Sequence, residues 1–405
     1  VDEALKKLRE QIDAIDDSVL RLISERASLA QQVGRAKNGE KIYRPEREAQ
    51  IVRRLTDNNP GPLSNDSVER LIREIMSACR ALEQSTRVAY LGPAGTFSET
   101  AVYKQFGHEV DALAEADIDA CFRAVETGRA DFAVVPVENS TEGSVSRTLD
   151  LIVASPLKIC GEVLLPIHQN LMRKLPSPAS GGGAGGEGVG VSGEDDTSSP
   201  LPTPDETTSH STKPASGQVA GYPPKGEGVN ATPIHRVYGH AQSLAQCHNW
   251  LTRHLPDAER ISVVSNSDGA LRALKEPDAA TLGSEAAASL YGLDIIAGRI
   301  EDDASNTTRF LVLGNHDAAP SGQDKTALVL GARNVPGAIV QLLQPFAAAG
   351  ISLSKLESRP ARQANWEYLF FVVCDGHRLD QKLVSTLTEV GHSAAFVKIL
   401  GSYPA

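Results

Sequence analysis

Residues 2–37 contain no proline, and no glycine before Gly34. Apolar residues recur through this stretch at Leu5, Leu8, Ile12, Ile15, Leu22, Leu29 and Val33, the spacing of one helix face. A single helix of that length is about 50 Å long at 1.5 Å per residue, against a mean globular helix of about 11–12 residues. An apolar stripe so long has to be covered by something equally long. Arg44-Pro45 opens a second helix, with proline tolerated in the first turn. A third runs through Val68, Leu71, Ile72, Ile75 and Leu82, again on one face. Three helices and no strand make this first module all-α.

The pattern changes at Val88. Short β-like runs (VAYL, FAVV, ISVV, RFLVL) alternate with helical stretches at 117–126, 241–253 and 283–290. Such alternation predicts a layered α/β unit. Residues 175–232 interrupt it: 28 of 58 positions are Gly, Pro or Ser, and Ile, Phe, Met and Trp do not occur. Too little apolar area is available there to offset ordering entropy, which predicts a disordered insertion. Its glycine run lacks the G-K-[ST] ending and following helix of a phosphate loop. From 326 to 401 the order reads strand (TALVLGA), helix (Ile339, Leu342, Leu343, Phe346), two strands (ISLSKLESR, EYLFFVV), helix (379–390) and strand (AAFVKIL), a small βαββαβ sandwich.

Charge narrows the partners. Residues 1–87 carry 16 Lys+Arg and 15 Asp+Glu, a net of +1, so the remaining 24 and 36 leave −12. An acidic chain without a basic tract argues against nucleic acid. No run of 18 apolar residues predicts a membrane span, and the N-terminal VDEALKKLREQID has no apolar core of a secretory signal. The five cysteines, Cys79, Cys121, Cys160, Cys247 and Cys374, are scattered and odd in number, which fits reduced structural thiols in a cytoplasmic setting. No His/Cys/carboxylate cluster has metal-ligand spacing, so no metal is expected.

On the first helix, Arg26 and Lys37 are eleven residues apart, within about 20° of one another and about 16 Å apart along the axis. Two long side chains can converge on a small anion there. Arg9 lies about 26 Å from Arg26 on the same axis. If all three hold one ligand, Arg9 comes from a second chain, and the module is complete only as a dimer. Any one of these cations could instead be a solvated charge on a helix face. The runs LREQIDAID (8–16), SER (24–26), VGRAK (33–37) and RPERE (44–48) resemble the all-helical chorismate mutases. That resemblance implies substrate binding by Arg9, Arg26 and Lys37, by the charged pair Arg47 and Glu48, by Arg44, and by Cys79 and Glu83 on the third helix. The implied reaction is the rearrangement of chorismate to prephenate, with no cofactor. Such an enzyme works by orientation and by stabilising charge on the ether oxygen, with Lys37 as the cation there. Glu83 stands where many members have glutamine, and a carboxyl can donate to that oxygen only when protonated.

Further along, VAYLGPAGTFSE (88–99), VPVENSTEGSV (135–145), LPIHQNL (165–171), VYGHAQSLAQC (237–247) and IEDDASNTTRFLVLG (300–314) follow in the order of the prephenate dehydratases, which they resemble. Gly239 stands where serine is common. The resemblance implies two α/β lobes with the site in the cleft between them. Thr308 is then the essential residue, hydrogen bonding to the departing hydroxyl, with Arg309 as the cation beside it and Phe310 next in line. Thr96, Ser98, Glu138, Asn139 and Ser140 are expected to line the cleft. Glu138 is the only carboxyl among them and an alternative proton source. His168 and His240 read as structural rather than catalytic.

The last unit resembles ACT domains, small amino-acid-sensing folds, through NVPGAI (334–339) and ESRP (357–360). The implied ligand is phenylalanine, approached by the backbone at Asn334, Gly337 and Ala338, with a turn of Glu357, Ser358, Arg359 and Pro360 closing the other side. Ile339 replaces the usual leucine. The whole reads as a multidomain chain: an all-α mutase unit (1–86), a two-lobed α/β dehydratase unit (87–316) and an α+β ACT unit (325–402). It resembles bifunctional enzymes that turn chorismate into prephenate and prephenate into phenylpyruvate under feedback by phenylalanine, in a homodimer or higher oligomer. Two other readings stay open: a dehydratase whose helical unit only dimerises, and a non-enzymatic amino-acid-binding regulator.

Overall fold

The structure is a computed structural model that describes residues 2–36, 43–175, 232–332, 335–360 and 368–405. Of the residues singled out above, Lys37 and Asn334 lie outside the described residues, as does the insertion apart from its end residues Leu175 and Thr232.

Helix α1 (Asp2–Ala36) runs without a break. The hydroxyls of Ser18, Ser24 and Ser28 return to carbonyls one turn back, so these polar side chains do not interrupt it. Helix α2 (Pro45–Asp57) has its proline in the first turn, and α3 (Asn65–Ala81) is capped by Ser64, which accepts from the Ser67 N–H. No residue of α1 is buried. Leu5, Leu8, Ile12, Ile15 and Leu22 are all exposed, and only the C-terminal third, around Arg26, Ala30 and Gly34, is half-covered where it meets α3. The stripe expected on α3 behaves differently too. Leu71 and Leu82 are exposed, whereas Met76, Ser77, Cys79 and Arg80 are buried. The reason is the neighbouring α/β unit, which packs on the other side of α3. There Gly107 comes so close that a Cβ on it would lie 2.5 Å from Ser77.

The first α/β lobe is built on one mixed sheet, ordered Asp111–Glu115, Arg87–Leu91, Phe132–Asn139, Thr307–Gly314 and Lys158–Pro166. The first three strands are parallel and the last two antiparallel. The second lobe is ordered Asp294–Ala297, Asn170–Arg173, Ala279–Gly283, Arg236–His240 and Glu259–Val263. The chain crosses between lobes twice, at 166–170 and 297–307. The helix expected over 241–253 is two helices, Ala241–Gln246 and His248–His254. The break has a local cause: the Asp302 carboxylate accepts from the Asn249 and Trp250 N–H groups and so caps a second helix start.

The C-terminal unit has a wholly antiparallel sheet ordered Leu353–Pro360, Tyr368–Asp375, Asp324–Ala332 and Phe396–Pro404. Helices Ala338–Ala348 and Gln381–Ser393 cover one face through Leu328, Leu330, Phe370 and Val372. The other face, with Ala327, Val329, Phe371, Val373 and Leu400, forms one continuous core with Val135, Val137, Ile159, Leu311 and Leu313 of the first lobe. The two sheets are therefore packed face to face, and alternate residues of each strand point at this shared layer.

Candidate active sites

A cavity of about 250 Å³ separates the two lobes, and Thr96, Ser98, Asn139, Thr308 and Phe310 all line it. The Asn139 amide orients the centre. Its Oδ1 accepts from the Thr141 and Glu142 N–H groups at 3.0 and 3.2 Å, so its Nδ2 faces Thr308 and donates to Oγ1 at 2.9 Å. The Thr308 hydroxyl is thus an acceptor on the protein side, and its own proton is left to be donated into the cavity.

Strand geometry decides which of the expected residues reach this cavity. Side chains alternate along Thr307–Gly314: Thr308 and Phe310 face the cleft, and Arg309 and Leu311 face the C-terminal sheet. On the neighbouring strand the register slips between the Arg309 and Phe310 pairings, so that Glu138 lies opposite Arg309 and Pro136 opposite Phe310. This bulge lets Pro136 and Asn139 both face the cleft while Val137 and Glu138 both face away. Three expectations are corrected here. Arg309 is not the cation of the cleft: it bonds Glu138 at 3.3 Å and Glu162 at 2.8 Å on the opposite face. Glu138 does not line the cleft either, and bonds Lys355 at 3.0 Å. Ser140 ties the strand ends together, its N–H donating to the Thr307 carbonyl and its hydroxyl accepting from the Thr307 N–H.

In place of a guanidinium, the cavity receives helix starts. The first turns of Phe97–Phe106 and Asn266–Ala273 open on it, as do those of the shorter helices Ala241–Gln246 and Glu285–Tyr291. Unpaired N–H groups and the positive end of each helix suit an anion. Ser265 and Ser284 cap two of these helices, and His240 caps a third through Nδ1, a structural role at the cavity wall. His168 instead pairs with buried Glu301 at 2.7 Å. Gly239 has Leu244 and Leu282 at 3.2 Å from where a Cβ would sit, so a side chain fits there only if they shift. Gln169 and Gln246, unforeseen from sequence, line the cavity and share a hydrogen bond, leaving Gln169 Oε1 and Gln246 Nε2 without protein partners. Gln169 lies on the first crossing and Gln246 ends the helix Ala241–Gln246, so their pairing becomes readable only with the lobes in place. The lobes meet at Gly95, whose positive φ of 81° disfavours any side chain and where a Cβ would lie 3.3 Å from Ala287 and Tyr291.

In the helical unit, Arg26 on α1 lies close enough to Glu48 on α2 to favour its charge, and Glu83 sits against Gly34, one turn before Lys37. Arg9, Arg44 and Arg47 are exposed, and Cys79 is buried. The pair Arg47 and Glu48 is split. Glu48 is ion-paired with Arg80 of α3, and Arg80 also donates to the Phe106 carbonyl of the first lobe at 2.6 Å and lies over the Tyr43 ring. Burial pushes the Glu48 carboxyl up, and Arg80 opposes that shift. Glu48 is therefore engaged at a junction between units, a role its position in RPERE did not reveal.

In the C-terminal unit, Gly337 has a positive φ of 78° and caps the helix that Ala338 begins. The segment Glu357–Pro360 is the end of a strand and not a turn. Its alternate residues face the first lobe: Glu357 accepts from the Ser144 hydroxyl at 2.6 Å, and Arg359 donates to the Ser146 carbonyl at 2.8 Å. Ser358 and Pro360 are exposed on the other side. Strand Tyr368–Asp375 separates this segment from the strand that leads to Gly337, so both motifs share one end of the sheet about 10 Å apart. All five cysteines are buried and none is in a disulfide, and burial pushes Cys121 and Cys374 up to about 12.

Comparison with known proteins adds the following. Residues 8–84 match a family model described as chorismate mutase type II, residues 88–179 and 225–318 one described as prephenate dehydratase, and residues 326–392 one described as ACT domain. The chain is 45% identical to the bifunctional chorismate mutase/prephenate dehydratase of Neisseria gonorrhoeae, over 100% of this chain and 98% of that one. It is 42% identical to the protein of the same description from Pseudomonas aeruginosa, over 99% and 98%. A crystal structure of prephenate dehydratase from Arthrobacter aurescens in complex with L-Phe is 27% identical, with a TM-score of 0.59 over 79% of this chain and 90% of that one.

Proposed function

The chain belongs to the family of bifunctional chorismate mutase/prephenate dehydratases, and from that premise we propose how its units divide the work. The helical unit, 1–86, rearranges chorismate to prephenate. The two-lobed unit, 87–316, removes carbon dioxide and the ring hydroxyl from prephenate to give phenylpyruvate. The ACT unit, 325–402, binds phenylalanine and lowers flux through the dehydratase. Together they serve phenylalanine biosynthesis.

The observation that carries the dehydratase reading is the Asn139–Thr308 bond at 2.9 Å inside the interlobe cavity. When the carboxylate leaves as carbon dioxide, its bonding electrons enter the ring and the C–O bond to the hydroxyl breaks. The departing oxygen needs a donor, and the Thr308 proton is turned toward it. A threonine hydroxyl is a weak acid, so it supplies a hydrogen bond rather than a full proton transfer. Helix N-termini around the cavity suit the two carboxylates of prephenate, in place of an arginine.

For the mutase step, Arg9, Arg26, Lys37, Arg47 and Glu83 are the proposed substrate set, with Arg9 supplied by a second chain. The uncovered apolar stripe of α1 supports that dimer. Five buried cysteines, none in a disulfide, support a reducing, cytoplasmic setting. One coupled assay tests the whole: chorismate is converted to phenylpyruvate, and added phenylalanine lowers the rate. Disappearance of chorismate, followed separately, distinguishes an active helical unit from one that only dimerises. A chain that consumes prephenate but not chorismate would refute the bifunctional reading.

A further inference from the structure

Between the cleft and the ACT sheet runs a layer of alternating charges. Lys355 of the ACT strand Leu353–Pro360 bonds Glu138 at 3.0 Å and Glu357 at 3.2 Å. Glu138 bonds Arg309 at 3.3 Å, and Arg309 bonds Glu162 at 2.8 Å. Glu162 bonds Lys325 of the ACT sheet at 3.3 Å. Three cations and three carboxylates therefore balance across the contact between two sheets. Lys355 is 13% exposed and Glu162 7%, so these groups are largely out of water, where losing one partner strands a charge.

The position of this layer matters more than its strength. Glu138 is bonded through the chain to Asn139, and Arg309 to Thr308. Of the two residues that make the central bond of the cleft, Asn139 is next to Glu138, which Lys355 of the ACT sheet bonds directly, and Thr308 is next to Arg309, which reaches that sheet only through Glu138 and Glu162. The register slip leaves Val137 without a partner on Thr307–Gly314, while its carbonyl accepts from the Val145 N–H on the other side. Side-chain bonds from behind add to this backbone pairing.

We propose that Lys355 is a positioning residue for the dehydration step. It holds Glu138, and through Glu138 the Arg309 side chain, so that Asn139 and Thr308 keep their mutual geometry. Lys355 also bonds Glu357 of the ESRP segment, so a shift of that strand reaches the cleft through the same ammonium group. The proposal rests on the assignment of Thr308 and Asn139 to the dehydratase site.

The test uses the full-length protein with Lys355→Met and Lys355→Arg. In Lys355→Met, dehydratase kcat falls by about 10- to 100-fold, the scale of a small misplacement of reacting groups, while KM changes little because the cavity wall is intact. Phenylalanine inhibition shifts in the same variant, and mutase turnover does not. Lys355→Arg keeps the charge and restores most of kcat. Wild-type kcat and wild-type phenylalanine response in Lys355→Met overturn the proposal. So does a Lys355→Arg protein that melts normally but stays as slow as Lys355→Met. Thr308→Ala, assayed alongside, separates the two claims. If it stays active, the cleft assignment fails; if it is inactive while Lys355→Met is normal, only the positioning role fails.

Discussion

Asn139 and Thr308 are 169 residues apart in the chain and joined by a 2.9 Å hydrogen bond on adjacent antiparallel strands. Because the amide donates, the threonine hydroxyl is directed outward. Removing that hydroxyl removes the donor but leaves Phe310 and the strand core in place. Thr308→Ala is expected to lower phenylpyruvate formation by at least about 100-fold, the scale of general acid–base and donor contributions, with mutase turnover unchanged. Retention of dehydratase activity at the wild-type level would end the assignment.

Glu83 stands against Gly34 at the end of α1, where the proposed ether-oxygen donor belongs. Only its protonated form can donate. Glu83→Gln, which can donate there, is expected to keep or raise mutase kcat/KM, whereas Glu83→Ala, which cannot, is expected to lower it by at least about 100-fold. An alanine variant with wild-type kcat/KM rules the idea out.

Arg80 is 5% exposed, Glu48 13%, and the two are ion-paired beneath the first lobe. Truncating one partner of such a pair costs about 3–5 kcal/mol, because the other charge stays buried alone. Arg80→Met is therefore expected to lower the melting temperature and loosen the helical unit from the first lobe, seen as faster amide exchange around Phe106. An unchanged melt and unchanged exchange would show the contact to be dispensable.

The proposal that two chains share each mutase site can be tested by complementation. Arg9→Ala and Arg26→Ala should each be inactive as mutases. Mixed and reassociated, half the dimers carry one site with both lesions and one with neither, so activity returns to about a quarter of wild type. Mixtures that stay inactive, although size measurement shows exchanged dimers, exclude a site shared between chains.

Much of this was legible in the residues, and the exceptions have a common cause. The proline-free run 2–37 and the βαββαβ order follow from local rules, and the described elements match them, α1 over Asp2–Ala36. The period of two in TTRF sends Thr308 and Arg309 to opposite faces of the sheet, so the two cannot both line the cleft. The slip that turns Glu138 away has no local signature, since it depends on pairing with a strand some 170 residues later. The same holds for Arg80, whose partners Glu48 and Phe106 belong to two other elements, and for the stripe of α3, where packing against Gly107 selected a different face. Contacts between units were the part that local pattern could not carry.

The two-faced strand Thr307–Gly314 has a practical consequence for anyone seeking a strain that overproduces the amino acid. Thr308 and Phe310 line the cleft, whereas Leu311 and Leu313 pack in the core shared with the ACT sheet. A random library over these eight codons, selected for growth on a toxic phenylalanine analogue, should return survivors at Leu311 and Leu313 and almost none at Thr308 or Phe310. Relief from feedback and loss of catalysis would then sort by parity along a single stretch of backbone.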